Sequence, residues 1–357
     1  MDANDRAGSD ASISSTECED SRPESRVHLL LIRFSALGDI LMSVPVIDAL
    51  ARRYPDIRVT VVSRPFVGSV MQLLPSNVDF FGIDPRSVGL ARLYRELAAL
   101  RPTHVCDLHD VLRTKYLRLR FRLAGLPVTY IHKGRKARRA FLHAQVKTQQ
   151  PTPFARYAEA LGRLGFPVEI DPSQRFSLVD DPRPHTSDGP SRIGVAPFAA
   201  HPGKVYPLER MKQVVQQLSA RGIQVFLFGA GEKERCIMEQ WAEQFEGVQS
   251  MVGRMENMAA ELHFMSRLDL MLTMDSGNMH LASLAGVRVI SIWGATHPLA
   301  GFLGWGQRMD DVIQLPLPCR PCSTYGSRPC RFGDWRCLAG IEVRKVVDFI
   351  IAQECVQ

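Results

Sequence analysis

The chain has 357 residues, of which 45% are hydrophobic and 23% charged, with a formal net charge of +7 at pH 7. This composition is typical of a soluble globular protein, and the length suggests two domains because one core rarely serves so long a chain. No apolar run reaches the roughly 18 residues needed to span a bilayer, so we expect no membrane anchor.

The first 26 residues are rich in Ser, Asp and Glu. They contain too few apolar side chains to offset the entropy lost on ordering, so we predict a disordered tail over 1–26. The same stretch lacks the apolar core of a secretory signal, and we therefore expect no signal peptide.

Apolar runs alternate with helical patterns through the first part of the chain. Residues 27–33 are almost continuously apolar, as in a strand buried on both faces. This alternation predicts a parallel sheet with helices on both sides, in an α/β Rossmann-like domain over 27–175. Further strands are predicted at 57–63, 78–83 and 103–107, and helices from residue 40, at 88–100 and at 157–164.

A proline-rich segment separates this domain from a second one of the same plan. We place a linker at 176–191 and the second Rossmann-like domain at 192–340. Two doubly wound domains leave a cleft at the carboxyl ends of their strands, where ligands of such folds bind. A final helix over 341–357 is predicted to pack back on the first domain. In the second domain, strands are predicted at 192–197, 223–228, 268–273 and 287–292, and helices at 208–220, 231–245 and 257–267.

The segment 274–282 predicts an anion site. It follows a buried strand, turns at Gly277 and opens a new helix that Asp275 or Ser276 could cap. A helix N-terminus after a parallel strand exposes unpaired N–H groups that can bind a phosphate. The alternative is a helix start that binds nothing.

Further charged residues are predicted at the cleft. Asp39 follows Gly38 where the first strand ends, and it could act as a general base or merely cap a helix N-terminus. Lys204 precedes the helix that starts near Pro207, and it could neutralise a diphosphate or remain a solvated loop lysine. After the glycine turn at 229–231, Glu232 or Glu234 could accept a hydrogen bond from a ribose or an amine.

The positive charge is concentrated in one block. No acidic residue lies between Asp110 and Glu159. Such a block predicts either a solvated helix face or a surface that attracts a polyanion. The bases are Arg113, Lys115, Arg118, Arg120, Arg122, Lys133, Arg135, Lys136, Arg138, Arg139, Lys147 and Arg156.

Four of the eight cysteines are close in sequence: Cys319, Cys322, Cys330 and Cys337, within the segment 319–337. Four thiolates could hold a structural zinc ion, although the second pair is spaced more loosely than in paired zinc knuckles. Without an export signal, disulfides are not expected. The alternative is reduced cysteines packed in a loop.

Taken together, these motifs resemble glycosyltransferase family 9, the ADP-heptose:lipopolysaccharide heptosyltransferases. Their order and spacing from residue 27 to about 305 make the resemblance specific. The K-V-Y-P segment at 204–207 and the cysteine-rich segment depart from the best-known members, which leaves the sugar and the acceptor open. The matching segments are R-F-S-A-L-G-D-I at 33–40, D-L-H at 107–109, R-T at 113–114, Lys204 with Pro207, F-G at 228–229, D-S-G-N-M-H at 275–280 and W-G-A-T-H-P at 293–298.

The resemblance implies a GT-B fold, in which two Rossmann-like domains face a cleft and bind the acceptor and the sugar nucleotide respectively. It implies that Asp39 is the base, that Lys204 binds the diphosphate, and that Glu232 or Glu234 contacts the nucleoside. The remaining residues implied at the donor are Asp275, Ser276, Gly277, Asn278 and His280, and we expect Ser35, Arg113, Lys133 and Arg135 at the acceptor.

The function implied is an inverting transfer of a heptose from ADP-heptose to a lipopolysaccharide core. The sequence contains no Asp-x-Asp motif, so we expect no metal and no other cofactor. We expect an anionic glycolipid acceptor, a cytoplasmic monomer, and peripheral contact with the inner face of the cytoplasmic membrane. One alternative is a GT-B transferase that uses a UDP- or GDP-sugar for a surface glycan. A zinc-containing nucleic-acid-binding protein is another, but Tyr116 and Phe121 are too few aromatic residues to favour it, and we expect no nucleic acid partner.

Overall fold

A computed structural model describes residues 27–179 and 190–354. The predicted tail at 1–26 and most of the predicted linker lie outside these ranges. The two ranges are called here the first half and the second half. None of the helices in them is long and apolar enough to cross a membrane.

The first half is a five-stranded sheet with helices on its faces. Its strand order is β3-β2-β1-β4-β5, and all neighbouring strands are parallel. The central strand β1 is buried along its whole length, as expected for a parallel strand covered on both faces. The elements are β1 (His28–Ile32), α1 (Leu37–Leu41), α2 (Val44–Arg53), β2 (Arg58–Ser63), α3 (Gly68–Met71), β3 (Val78–Gly82), α4 (Leu90–Ala99), β4 (His104–Asp107), α5 (Leu112–Leu123), β5 (Val128–Tyr130), α6 (Arg135–His143) and α7 (Pro153–Arg163).

The second half repeats this plan with a six-stranded sheet. The order is β11-β10-β9-β6-β7-β8, again with parallel neighbours throughout. The α/β fold with two doubly wound halves is therefore confirmed. The elements are β6 (Arg192–Ala196), α8 (Leu208–Ser219), β7 (Gln224–Leu227), α9 (Glu232–Gln244), β8 (Val248–Ser250), α10 (Met258–Met265), β9 (Leu270–Met274), α11 (Gly277–Leu284), β10 (Arg288–Ile292), β11 (Val312–Ile313), α12 (Arg336–Ala339) and α13 (Val343–Glu354).

The two halves touch at several places. Helix α1 lies directly against α11, and α3 lies against α10, where the Ala259 N–H donates to Ser69 Oγ at 3.2 Å. On another side, the Phe154 ring packs edge-on against Trp305 with centroids 5.0 Å apart. Apolar residues of both halves therefore form one continuous core cluster that fixes the cleft between the sheets.

The structure differs from the sequence-based expectations in three places. The basic block contains α5, β5 and α6, and the elements predicted from the sequence include none of the three. The last helix, α13, does not pack back on the first half: Val346, Val347 and Ile350 are buried in the core of the second half, against α8. The helix predicted from residue 40 is two helices, α1 and α2, and Pro45 lies in the first turn of α2, where a missing N–H costs no hydrogen bond.

Candidate active site

A cleft of about 670 Å³ lies between the halves, at the carboxyl ends of β1, β4 and β9. Strand ends of both sheets contribute to it, as the doubly wound topology requires. The lining combines charged side chains from both halves with the first turns of α1 and α11. Predicted site residues that line it are Ser35, Asp39, Lys133, Lys204, Glu234, Asp275, Ser276, Gly277, Asn278 and His280.

The start of α11 presents backbone donors to this cleft. Ser276 is extended and occupies the N-cap position, with Gly277 as the first helical residue. The first N–H groups of a helix have no partner within it, and they combine with the positive end of the helix dipole. The prediction that Asp275 or Ser276 caps the helix is wrong, because neither side chain does so, and Ser276 Oγ is buried without a hydrogen-bond partner. The N–H groups stay available to an anion.

Asp275 instead holds Lys204 in place. The Lys204 Nζ lies 2.9 Å from Asp275 Oδ2, and the Thr296 hydroxyl donates to the same oxygen at 2.8 Å. Asp275 is only 4% exposed. A buried carboxylate needs such partners to offset its lost hydration. The ammonium of Lys204 is thereby fixed beside the α11 N-terminus.

Asp39 in α1 is held from the opposite side by Arg33. The buried guanidinium of Arg33 lies 2.7 Å from Asp39 Oδ2, and it also donates to the Leu108 carbonyl. The Arg33 guanidinium also lies over the Tyr157 ring, 5.8 Å from its centre. The Tyr157 hydroxyl in turn donates to the Asp39 carbonyl at 3.0 Å. The second carboxylate oxygen, Oδ1, has no partner among the described residues. Asp39 thus keeps one oxygen free in the cleft.

Two glycines allow the two turns to meet. A Cβ on Gly38 would lie 2.6 Å from His280 Cδ2, and a Cβ on Gly277 would lie 2.8 Å from Leu37 Cδ2. Real Cβ atoms do not approach other atoms so closely, so only glycine fits at either place without a shift. The first turns of α1 and α11 are therefore in direct contact across the cleft.

Two histidines in the site are neutral at physiological pH. Burial lowers the pKa of His280 to about 4, against the opposing effect of Asp275 and Asp39. Burial, with the nearby charges of Arg33 and Lys133, lowers the pKa of His109 to about 3. His109 Nε2 lies 3.1 Å from Ser35 Oγ. Neutral imidazoles can donate or accept hydrogen bonds here without adding charge.

Of the predicted acceptor residues, the structure brings only Ser35 and Lys133 into the cleft. Burial and the neighbouring Arg33 and Arg135 lower the pKa of Lys133. Arg113 lies outside the lining and reaches the Val88 carbonyl at 3.4 Å, whereas Arg135 is exposed and faces Asp110. The two arginines are therefore not brought to the acceptor side of the cleft.

The structure distinguishes between the two candidate glutamates. Glu234 lines the cleft, and its Oε2 accepts the Ala230 N–H at 2.8 Å. Glu232 is exposed and paired with Arg235 at 2.6 Å, away from the lining. Only Glu234 is placed to meet a ligand.

Part of the basic block has a structural role. Arg118 is buried between Asp107 and Asp110, at 3.5 and 3.2 Å, and stacks 3.9 Å above the Tyr130 ring. Arg156 is buried and donates to the His132 carbonyl at 2.8 Å. The net positive surface is therefore smaller than twelve bases suggest.

The four clustered cysteines are free thiols. Burial raises the pKa of Cys322 and raises that of Cys337 to about 11, whereas hydrogen bonds from backbone N–H groups lower the pKa of Cys330. Among the described residues, no group of three or more His, Cys, Asp and Glu side chains is arranged to hold a metal ion. The zinc site at these four cysteines therefore stays a prediction.

Several lining residues were not predicted as site residues. Some of them lie inside the motifs that carried the resemblance, so the sequence did contain a signal. Tyr157 and Tyr325 carry none that a single sequence shows, because they reach the cleft by long-range packing. The sequence marks Arg138 only as one of the twelve bases of the basic block; its guanidinium contacts Tyr325 Oη at 3.2 Å. Unpredicted lining residues within motifs are Arg33, Ala36, Leu37, Gly38 and His109.

Comparison with known proteins identifies the family of the chain. The sequence profile of glycosyltransferase family 9 (heptosyltransferase) matches residues 110–332, which is more than half of the chain. A curated relative, lipooligosaccharide heptosyltransferase 2 of Campylobacter jejuni, is 26% identical over 133 residues, or 36% of this chain. That match spans only 40% of the relative's length.

Solved structures share the whole fold. The Escherichia coli ADP-heptose lipopolysaccharide heptosyltransferase II aligns with a TM-score of 0.64 at 21% identity, covering 92% of this chain and 99% of that one. The E. coli heptosyltransferase WaaC with ADP-2-deoxy-2-fluoro heptose aligns with the same score at 16% identity, covering 92% and 100%. At such identities the likeness shows the fold, which is GT-B. The family profile, which covers more than half of the chain, shows that this chain belongs to glycosyltransferase family 9.

Proposed function

We propose that this protein is an inverting, metal-independent glycosyltransferase that moves a heptose from ADP-heptose to a lipopolysaccharide core. The observation that carries the proposal is the pairing across one cleft of the Asp39 carboxylate with the α11 N-terminus and Lys204. One side supplies a base and the other an anion site. The name of the curated relative and the sugar nucleotide bound to a solved relative support the choice of a heptose and of ADP.

In the proposed reaction, Asp39 removes the proton from an acceptor hydroxyl. The hydroxyl oxygen attacks the anomeric carbon as the bond from that carbon to the diphosphate breaks, so the configuration inverts. The proton ends on the Asp39 carboxyl, and the electron pair of the broken bond leaves with ADP. Arg33 holds Oδ2 at 2.7 Å and leaves Oδ1 to meet the hydroxyl. General-base assistance of this kind contributes about 10²–10⁴-fold to the rate.

Charge on the departing diphosphate is stabilised by the opposite side of the cleft. The free N–H groups at the start of α11 donate to its oxygens, and Lys204 adds a positive charge. Because Asp275 anchors Lys204, this charge is in place before the donor binds. A site arranged in advance needs no reorganisation during the reaction, and no metal is required in this scheme.

The acceptor occupies the first half, beside Ser35 and Lys133. The half-buried Lys133 ammonium suits a phosphate or carboxylate of an anionic glycolipid. Arg138 extends the same wall. Such an acceptor is anchored in a membrane, so the proposal includes a cytoplasmic enzyme in peripheral contact with the inner face of the cytoplasmic membrane, acting as a monomer.

The test is Asp39→Asn, which keeps the side-chain shape and removes the base. Turnover of ADP-heptose with purified acceptor should fall by about 10²-fold or more, while calorimetric affinity for ADP stays near wild type. Asp48→Asn is a matched control, because Asp48 lies in α2 and pairs only with Arg52 among the described residues. Turnover of Asp39→Asn within about threefold of wild type, far below the base contribution, would remove Asp39 from the mechanism.

The nucleotide is tested separately by thermal shift. ADP, UDP and GDP are compared at equal concentration, since tighter binding to the folded protein raises the unfolding temperature more. We expect the largest shift with ADP. A larger shift with UDP or GDP would favour the alternative transferase that uses another sugar nucleotide.

A further inference from the structure

Helix α5 exposes an apolar stripe. Leu112 is 85% exposed, Leu119 56% and Leu123 75%. At about 100° per residue, spacings of seven and four residues place the three leucines within about 40° of one another around the helix. The opposite side of α5 is ordinary core, with Leu117 and Phe121 fully buried. The helix therefore has two apolar sides, and only one of them is covered.

Basic residues flank this stripe. Lys115 and Arg122 are exposed on one side of it, and Arg120 lies on the other. Lys115 has no hydrogen bond or ion pair within the described ranges, and Arg122 contacts only the Val128 carbonyl, at 3.3 Å. No acidic residue occurs in α5 or in the chain that follows it up to Glu159. Leucines with unpaired bases beside them form the surface expected of a helix that lies in a membrane interface.

The stripe begins close to the cleft. The segment that joins β4 to α5 carries His109 into the cleft, and Leu112 begins the helix three residues later. Helix α6 starts next to the segment that joins β4 to α5, because its first residue, Arg135, contacts Asp110. It adds the exposed Lys136 to the bases beside the stripe. The stripe and these bases therefore lie on the half that contributes Lys133 to the proposed acceptor side.

We propose that the exposed face of α5, made of Leu112, Leu119 and Leu123 with Lys115 and Arg122, docks on an anionic phospholipid bilayer. The leucines enter the boundary between head groups and acyl chains, and the bases contact lipid phosphates. A second copy of the chain is a poorer occupant, because a shared symmetric face would bring like charges together. The consequence for catalysis, presentation of a lipid-anchored acceptor to the cleft, rests on the proposed function, whereas bilayer binding does not.

The test is co-sedimentation of the full chain with vesicles of phosphatidylethanolamine and phosphatidylglycerol. The triple variant L112S/L119S/L123S should lose about tenfold or more in partition coefficient, because three apolar side chains no longer leave water. The matched control M309S/F332S removes two other exposed apolar side chains, both in the second half, and should bind as wild type. The double variant K115Q/R122Q should bind more weakly and with less dependence on salt.

Turnover with a delipidated core acceptor separates this proposal from the proposed function. The leucines lie outside the cleft, so the triple variant should keep wild-type turnover in solution, which also shows that it folds. Equal vesicle binding by wild type and triple variant, or equal binding to phosphatidylcholine vesicles, would overturn the docking proposal. So would a triple variant that changes only the oligomeric state in light scattering. Vesicle binding as predicted, without turnover of any acceptor, would instead overturn the proposed function.

Discussion

Gly38→Ala tests whether the contact between the two turns matters for catalysis. The new methyl group would lie 2.6 Å from Cδ2 and 3.1 Å from Nε2 of His280. His280 is 6% exposed and cannot swing into free space. Gly38 lies in α1 and has no positive φ, so alanine suits its backbone and the strain falls on the contact between the halves.

The size of the effect follows from overpacking. Adding a methylene-sized group to a tight contact costs about 1–3 kcal/mol. Because that cost falls on the contact between the halves that form the catalytic cleft, kcat/KM should drop about 5- to 150-fold. The free energy of unfolding of each half should change little, because the methyl group meets the other half rather than its own core.

The assay is steady-state kinetics with ADP-heptose and acceptor, alongside denaturant unfolding. Gly89→Ala is the matched control in the same half, since its Cβ would meet nothing within 4 Å. Gly277→Ala should be milder than Gly38→Ala, because it meets the tip of the Leu37 side chain, which can rotate. In a double-mutant cycle, His280→Ala should reduce the effect of Gly38→Ala by providing room. Equal kcat/KM for Gly38→Ala and Gly89→Ala would refute this reasoning.

Three further predictions concern buried charge. Lys204→Ala leaves the buried Asp275 with only the Thr296 hydroxyl as a partner, so the free energy of unfolding should fall by about 3 kcal/mol. Adding Asp275→Asn to this variant should restore part of the loss. Denaturant unfolding measures both effects, and an unchanged unfolding free energy for Lys204→Ala would contradict the pairing. Burial lowers the pKa of His280 from 6.5 to about 4, so this residue makes the free energy of unfolding fall by up to about 3 kcal/mol as pH drops from 6.5 to 4. His280→Gln should therefore flatten the pH dependence of the unfolding free energy in that window. A pH dependence parallel to that of the wild type would contradict the assignment. Burial raises the pKa of Glu261 from 4.5 to about 7, so this residue makes the free energy of unfolding fall as pH rises from 4.5 to 7. The difference in unfolding free energy between Glu261→Gln and the wild type should therefore grow across that window. A constant difference would contradict the assignment.

Much of the fold could be predicted because parallel strands buried on both faces are continuous apolar runs. β1 and β9 have this character, and both lie within a residue or two of the predicted ranges. Each is followed by a glycine turn and a helix, so Asp39 and Asp275 could be placed at the cleft from sequence. Both follow the carboxyl ends of parallel strands, which is where the topology of two doubly wound halves places the cleft.

The remaining features depend on long-range partners. The two buried positions Leu117 and Phe121 are the main apolar signal of the inner face of α5, and the bases between them obscure it. The pairing of Lys204 with Asp275 joins residues far apart in sequence, as does that of Arg138 with Tyr325. A helical pattern shows that a helix forms, but it does not show which half that helix packs against. For this reason the sequence alone assigns α13 to the first half, whereas it packs in the second.

The most direct test of the central claim is a transfer reaction followed by mass spectrometry. Purified protein is incubated with ADP-heptose and a lipopolysaccharide core acceptor that lacks the terminal heptose, without added metal and with a chelator present. We expect the acceptor mass to increase by one heptosyl unit, with one ADP released per transfer, and we expect the rate of both to fall by about 10²-fold or more with Asp39→Asn. An unchanged acceptor mass with ADP-heptose, together with transfer from a UDP- or GDP-sugar, would contradict the claim.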